Sequence, residues 1–156
     1  MEWLKKWLNR VFIDGLSGMA LGLFSTLIVG TIIQQVGTLI GGQVGEITYL
    51  AGKLAAAMTS AGIGVGVAYK FKEPPLVVLS AATAGMAGGF ASKILAGTVL
   101  VDGVVQLAGP GEPLGAFIAA YVAIEAGHLV SGKTKVDILV TPIVTIVAGC
   151  AVGLLV

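Results

Sequence analysis

The feature that most constrains this chain is a run without a single charged residue, from Gly15 to Gly45. A helix that spans a bilayer needs about 20 predominantly apolar residues, and this run is longer than that. A cleavable signal peptide has a shorter apolar core of about 7–15 residues, followed by a small-residue cleavage site. The run therefore predicts a segment that stays in the membrane.

The composition extends this prediction to the whole chain of 156 residues. Charged residues make up 11% and hydrophobic residues 56%, whereas a soluble globular domain is about 25% charged. A soluble domain of this size cannot hide so much apolar surface, because folding buries only about 70% of what the unfolded chain exposes. We therefore expect an all-α fold, a polytopic integral membrane helix bundle in the lipid bilayer.

The same numbers exclude several other classes of protein. A net charge of +1 gives no field that would attract nucleic acid. One cysteine, Cys150, and one histidine, His128, exclude a disulfide framework and any metal site made of cysteines or of several histidines. We expect no cofactor and no metal, and we interpret Cys150 as a small packing residue.

Five apolar blocks are long enough, or nearly so, to cross a bilayer as helices. They cover residues 11–36, 47–69, 74–92, 113–130 and 138–156. The stretch 94–108 is apolar but short and contains Asp102, so we expect a re-entrant or interfacial segment there. Residues 1–10 place Trp and Leu at helical spacing among Lys and Arg, which predicts an interfacial amphipathic helix. Residues 11–156 then form a single transmembrane domain.

The basic residues predict the orientation of this domain. If the N-terminus lies in the cytoplasm and the chain crosses five times, seven of the nine Lys and Arg residues fall on the cytoplasmic side. Lys53 and Lys93 are the two exceptions. We expect a multi-pass protein with a cytoplasmic N-terminus.

Glycines recur at four-residue spacing, as in Gly18/Gly22 and Gly62/Gly66. Small residues at this spacing let helix backbones approach closely in lipid. A second interpretation is that the GIGVG segment, and likewise GMAGG at 85–89, is unwound or bent and lines a cavity, as broken helices do in transporters. On that interpretation the substrate-binding residues of GIGVG are Gly62, Gly64 and Gly66.

Three polar side chains share one face of the fourth predicted span, namely Tyr121, Glu125 and His128. An ionisable residue inside a span costs about 2.5–3.5 kcal/mol on insertion scales, so it faces the bundle interior or a water-filled cavity. A Glu and a His placed there can hydrogen-bond the hydroxyl groups of a solute or relay a proton. The alternative is a structural contact between helices.

The loop after this span reads SGKTK, and together with the preceding residues it fits the phosphate-loop pattern G-x-x-x-x-G-K-[ST]. That pattern needs a strand before it and a soluble helix after it, whereas membrane-length apolar segments flank it in this chain. We predict instead a gate or a docking loop for a partner. An open alternative is a connecting loop whose lysines anchor the topology, with the aspartate capping a helix. The residues concerned are Ser131, Lys133, Thr134, Lys135 and Asp137.

A resemblance to a known family extends over nearly the whole chain. Three segments carry it: LGLFSTLIVGTIIQQVGTLIG (21–41), AGIGVGVAYKFKEPPLVVLSA (61–81) and PLGAFIAAYVAIEAGHLVSGKTKVDILVTPIVTIVAG (113–149). They resemble the EIIC-like membrane family of the bacterial phosphotransferase system, which includes proteins similar to the perfringolysin regulator. The stretch SGKTKVDILVTP is the most specific motif of the three.

The resemblance implies a protein of the bacterial inner (cytoplasmic) membrane, either a sugar permease component or a membrane regulator. In related permeases a buried Glu and a His contact the sugar, and Glu125 and His128 are the residues of this chain that match in type. Family members continue through a second hydrophobic half. On this resemblance we expect the chain to correspond to the N-terminal half, either as a fragment or as a shorter relative completed by homo-oligomerisation or by a second membrane half.

Three functions remain open at this point. The first is an EIIC-like transporter component that binds a small polar solute, with a sugar as the expected class, for uptake. The second is a membrane sensor or regulator without transport, and the third is a small homo-oligomeric channel. Phosphorylation of a sugar would need separate cytoplasmic phosphotransferase proteins as partners, so we do not expect the chain alone to be a complete enzyme.

Overall fold

The chain is almost entirely helical, as a computed structural model of residues 2–97, 99–106, 111–133 and 135–155 shows. The helices are α1 Glu2–Ile40, α2 Gly42–Ala57, α3 Thr59–Lys70, α4 Pro75–Gly89, α5 Ala91–Leu95, α6 Pro113–Val130 and α7 Asp137–Leu155. Two short strands, β1 Leu100–Val101 and β2 Val104–Val105, pair antiparallel. The predicted fold class, an all-α membrane helix bundle, is therefore confirmed.

Helix α1 joins two predicted elements, the amphipathic helix 1–10 and the first span, into one continuous helix of 39 residues. It contains two π-helical stretches, Arg10–Gly15 and Phe24–Ile28. At a rise of about 1.5 Å per residue it is roughly 58 Å long, about twice the hydrocarbon thickness of a bilayer. Part of α1 must therefore lie outside the hydrocarbon region or the helix must tilt strongly.

Within the described residues, three helices are long and apolar enough to cross a membrane, namely α1, α6 and α7. Helices α2 and α3 pass the same test together as a fourth span, although they are bent by 51° at the break between them. Helix α4 has 15 residues and is shorter than the predicted third span, because the helix ends at Gly89 where Phe90 leaves the helical conformation (φ −108°, ψ 17°). Each of the five predicted blocks contains a helix. By length and composition, however, the described helices provide only three membrane spans, or four if the bent pair α2 and α3 counts as one span.

The segment 94–108 contains the end of α5 and the β-hairpin, as far as its described residues go, and it makes no full crossing. Asp102 and Gly103 both have positive φ, 52° and 77°, as the tight turn of a two-residue hairpin requires. The four strand residues are all exposed. The hairpin was not predicted, and the interfacial placement of this segment stays a prediction.

The bundle packs through glycines where α1 crosses α3. A Cβ added at Gly66 would collide with the carbonyl oxygen of Gly18, and one added at Gly22 would collide with that of Gly62. These positions need glycine because the two backbones touch. The interpretation of this spacing as close helix packing is thus confirmed.

The second half of α1 pairs with α2 as a helical hairpin. Gly30 and Gly37 of α1 face Gly52 and Gly45 of α2 across a backbone-to-backbone contact. The hydrophobic core lies apart from this hairpin, among helices α3, α4, α6 and α7. Its largest fully buried aliphatic side chains are Ile63, Val67, Val77 and Ile124.

Candidate functional site

Helix α6 presents the three predicted polar side chains near the end of the bundle where it meets the loop to α7. Pro113 opens the helix at a position that suits proline, and α6 then runs unbroken to Val130. Glu125 is five residues from that last residue, or about 7.5 Å at a rise of 1.5 Å per residue. Two other segments of the chain, the start of α1 and the loop between α3 and α4, reach the same place.

Glu73, in the loop between α3 and α4, lies at the centre of this arrangement. Its Oε1 accepts a hydrogen bond from Nη2 of Arg10 at 3.1 Å, and its Oε2 lies 3.0 Å from Nδ1 of His128. The Glu73 side chain is only 1% exposed, so these two groups replace the water that would otherwise solvate the carboxylate. The predicted residue His128 is therefore bound to a carboxylate that the sequence analysis did not single out.

Arg10 bridges two carboxylates. Its Nε donates to Oε1 of Glu125 at 2.9 Å, while Nη2 contacts Glu73. The guanidinium also lies 3.9 Å from the ring centroid of Phe71, within the range of a cation–π interaction. We call Arg10, Glu73, Glu125 and His128 the polar cluster.

Aromatic rings border the polar cluster on the side of Tyr121. Nε1 of Trp7 donates a hydrogen bond to the Tyr121 hydroxyl at 2.7 Å. The rings of Phe71 and Tyr121 meet edge to face, with centroids 6.2 Å apart and planes at 84°. The start of α1 is thus fastened to α6 at two places, through Trp7 and through Arg10.

Access to the polar cluster is uneven. The side chains of Arg10, Glu125 and His128 are 31%, 40% and 62% exposed, whereas the side chain of Glu73 is buried. Carboxylate oxygens accept hydrogen bonds, and guanidinium and imidazole N–H groups donate them, so the exposed part can bind a polyhydroxyl solute. Among the described residues, no group of three His, Cys, Asp or Glu side chains is arranged to hold a metal ion.

The predicted glycines lie elsewhere. Residues 62–66 are part of the regular helix α3, so the expected unwinding there is wrong, and the bend lies just before α3 at Met58. Gly64 packs on the backbone of α4, while Gly62 and Gly66 face α1. The structure does not bring these glycines together with Tyr121, Glu125 and His128, and their contact with a solute stays a prediction.

The predicted gate or docking loop forms a compact turn between α6 and α7. Asp137 accepts hydrogen bonds through Oδ1 from the backbone N–H of Gly132, at 2.8 Å, and from the Thr141 hydroxyl. The N–H of Ser131 donates to the carbonyl of Gly127 at 2.9 Å. Lys133 and Lys135 are exposed, and Thr134 lies outside the described residues. Asp137 therefore holds the turn against α7, while its role in a gate or docking loop stays a prediction.

Comparison with known proteins adds the family. The family model described as "Phosphotransferase system, EIIC" matches residues 13–156, which is nearly the whole chain. The chain belongs to this EIIC family. No curated protein and no solved structure matches it. Membership places this EIIC-family chain in a membrane and in the context of the phosphotransferase system, in agreement with the resemblance found in the sequence.

Two residues of the polar cluster were missed by the sequence analysis. Arg10 was considered only as a basic anchor, and Glu73, which directly precedes Pro74, was not considered as a site residue. Arg10 is 115 positions from Glu125, and Glu73 is 55 positions from His128, so no local spacing could join them. The available signal was a lone acidic residue within a basic loop, where Glu73 follows Lys70 and Lys72.

Proposed function

We propose that this EIIC-family chain is a membrane-embedded transporter component that binds a small polar solute, with a sugar as the expected class, for uptake. The observation that carries the proposal is the polar cluster, where donors and acceptors from three separate segments converge at one end of a helix bundle. A site that is partly exposed and bordered by aromatic rings suits a small polyhydroxyl ligand. The family supplies the context of the phosphotransferase system.

Each side chain has a distinct role in the proposed site. Glu125 accepts hydrogen bonds from solute hydroxyls, and Arg10 turns from Glu125 toward the solute as it binds. His128 donates to the solute or orients it, while Glu73 stays buried and holds the guanidinium of Arg10 and the imidazole of His128 in place. Tyr121, fixed by Trp7, offers its ring and hydroxyl.

The loop after α6 has a proposed role on the cytoplasmic side. It gates the site or docks a cytoplasmic phosphotransferase protein. Its two lysines are exposed and free to meet an acidic partner surface, while Asp137 keeps the turn in shape. The residues proposed for this role are Ser131, Lys133, Thr134, Lys135 and Asp137.

Solute-induced thermal stabilisation of the purified protein tests the site, because a ligand that binds only the folded state raises its melting temperature. We expect at least one member of a sugar panel to stabilise the wild type. Glu125→Gln should weaken its binding roughly 10–100-fold, since hydrogen bonds to charged groups contribute about 1.5–3 kcal/mol. Glu46→Gln, which changes an exposed carboxylate on α2, is the matched control and should bind normally. Equal affinity in wild type and Glu125→Gln would remove Glu125 from the site.

Flux measurements in proteoliposomes separate the proposal from its two alternatives. Uptake or exchange of the stabilising solute supports a transporter component. Binding without flux is the result that a membrane sensor or regulator predicts, and ion conductance is the result that a homo-oligomeric channel predicts.

A further inference from the structure

A groove lies on the surface of the bundle between α1, α3 and α4. Its floor is one stripe of α3, because its α3 residues recur at positions i, i+3, i+4 and i+7. These residues are Gly62, Val65, Gly66 and Tyr69. Leu21 and Ser25 of α1 form one wall, and Val78 of α4 closes the groove. The groove has a volume of about 270 Å³ and an almost wholly apolar lining.

A second pocket of about 460 Å³ adjoins the groove at the end of α3. Tyr69 and Val78 line both cavities, so the two are neighbours, and we call the groove and this pocket together the depression. The second pocket is polar where the groove is apolar, since Lys70, Lys72 and Glu73 complete its lining. The whole depression thus has a basic head and an apolar tail.

The positive charge of the head is not neutralised within the described part of the chain. Lys70 and Lys72 are exposed, and the ion pairs found among the described residues involve neither of them. The carboxylate of Glu73 is engaged by Arg10 and His128. Lys72 has a φ of 57° because it is the left-handed residue of the turn that ends α3, where its N–H donates to the carbonyl of Tyr69 and the N–H of Glu73 donates to the carbonyl of Ala68.

We propose that this depression binds one molecule of an anionic phospholipid. The phosphate lies between Lys70 and Lys72, and an acyl chain lies in the groove over Gly62 and Gly66. Lysines at the end of a membrane helix attract anionic headgroups. Free phosphate would leave the apolar groove empty, and a sugar would find almost no polar surface there. The basic pocket shares Glu73 with the polar cluster, whereas Arg10, Glu125 and His128, the exposed groups proposed to meet the solute, line neither cavity.

Lipid titration of the purified full chain in an uncharged detergent tests the proposal. The probes are dioleoylphosphatidylglycerol and dioleoylphosphatidylcholine, and the readout is the rise in melting temperature with lipid concentration. We expect the wild type to bind the anionic lipid roughly tenfold more tightly. Lys70→Gln/Lys72→Gln should bind both lipids alike. The matched control Lys133→Gln/Lys135→Gln removes the same charge from another loop and should keep the preference.

A second pair of variants tests the groove. Ser25→Trp fills it from an exposed position on α1, so we expect it to weaken binding of the anionic lipid. Ile28→Trp adds the same ring at an exposed position of α1 outside the groove and should bind as the wild type does. Native mass spectrometry of the same proteins counts the lipid molecules retained, with one expected for the wild type.

Two results would overturn the proposal. If both lysine pairs weaken binding equally, the preference reflects bulk charge and not a site. If inorganic phosphate or glycerol phosphate stabilises the protein as strongly as the lipid, and Ser25→Trp has no effect, the basic pocket takes a free phosphate and the groove is not part of it. Loss of the preference only in Lys70→Gln/Lys72→Gln, together with weakened binding in Ser25→Trp, supports the lipid site.

Discussion

Glu73 shares its two carboxylate oxygens between Arg10 and His128 and is itself almost closed to solvent. Glu125 has the more obvious position, on a long helix, but 40% of its side chain is exposed. Exposed ion pairs contribute little because water solvates the separated charges almost as well. At the scale of single residues, the buried carboxylate of Glu73 therefore holds the polar cluster together.

Double-mutant cycles that share Arg10→Met measure this difference. We expect a coupling energy of about 1–2 kcal/mol for Arg10 with Glu73, and less than about 1 kcal/mol for Arg10 with Glu125. The second partner is changed to Gln in each cycle, and the free energy of unfolding is followed in a detergent-to-dodecyl-sulfate titration. The two cycles control for each other, because both lose the same guanidinium. A larger coupling of Arg10 to Glu125 than to Glu73 would contradict this order.

At the scale of elements, the ends of the helices are fixed by different means. Helix α4 begins at Pro75 after Pro74, which sets the backbone without a side-chain cap. Helix α7 begins at Asp137, whose carboxylate binds the turn before it and the hydroxyl of Thr141 within it. The turn between α6 and α7 is thus ordered by one side chain.

Removing that side chain should loosen the start of α7. For Asp137→Ala we expect a loss of about 1 kcal/mol in the free energy of unfolding, the typical net contribution of an intramolecular hydrogen bond. Hydrogen exchange should also become faster in the first turn of α7. Glu112→Ala is the control, because it removes an acidic side chain just before α6 that makes no cap hydrogen bond. Equal losses in the two variants would rule out a role for Asp137 in ordering the turn.

At the scale of the whole molecule, the polar cluster brings three basic segments to one end of the bundle. Arg10 belongs to the first, Glu73 adjoins the second, and His128 precedes the third. These are the segments that the positive-inside rule assigns to the cytoplasm. The structure thus brings the three segments to a common end of the bundle, and the cytoplasmic orientation of that end stays a prediction from the charge distribution.

Cysteine labelling checks this orientation. In a Cys150→Ser background, which removes the single native cysteine, Lys5→Cys, Lys72→Cys and Lys133→Cys should all react with a membrane-impermeant maleimide from the cytoplasmic face. Gln43→Cys, at the far turn between α1 and α2, should react from the opposite face. Right-side-out and inside-out vesicles provide the two faces. If the first three positions react from different faces, the three segments do not lie on the same side of the membrane and the proposed orientation is wrong.

Helical periodicity predicted half of the candidate site. It placed Tyr121, Glu125 and His128 on one side of one helix, because residues three and four apart lie on the same face. It could not supply Arg10 and Glu73, since a contact between distant segments depends on how helices pack. For the same reason, glycine spacing predicted close packing but did not show which helices meet.

By itself, the sequence determined that lipid surrounds this chain, that helices satisfy its backbone, and which family it belongs to. These properties follow from local composition and order, because an apolar segment in a bilayer must bond its own N–H and C=O groups. Only the tertiary structure decided that α1 is one long helix, that Glu73 joins Arg10 to His128, and that an apolar groove leads to Lys70 and Lys72. Those features depend on which helix surfaces come together, and that is set by packing over the whole chain.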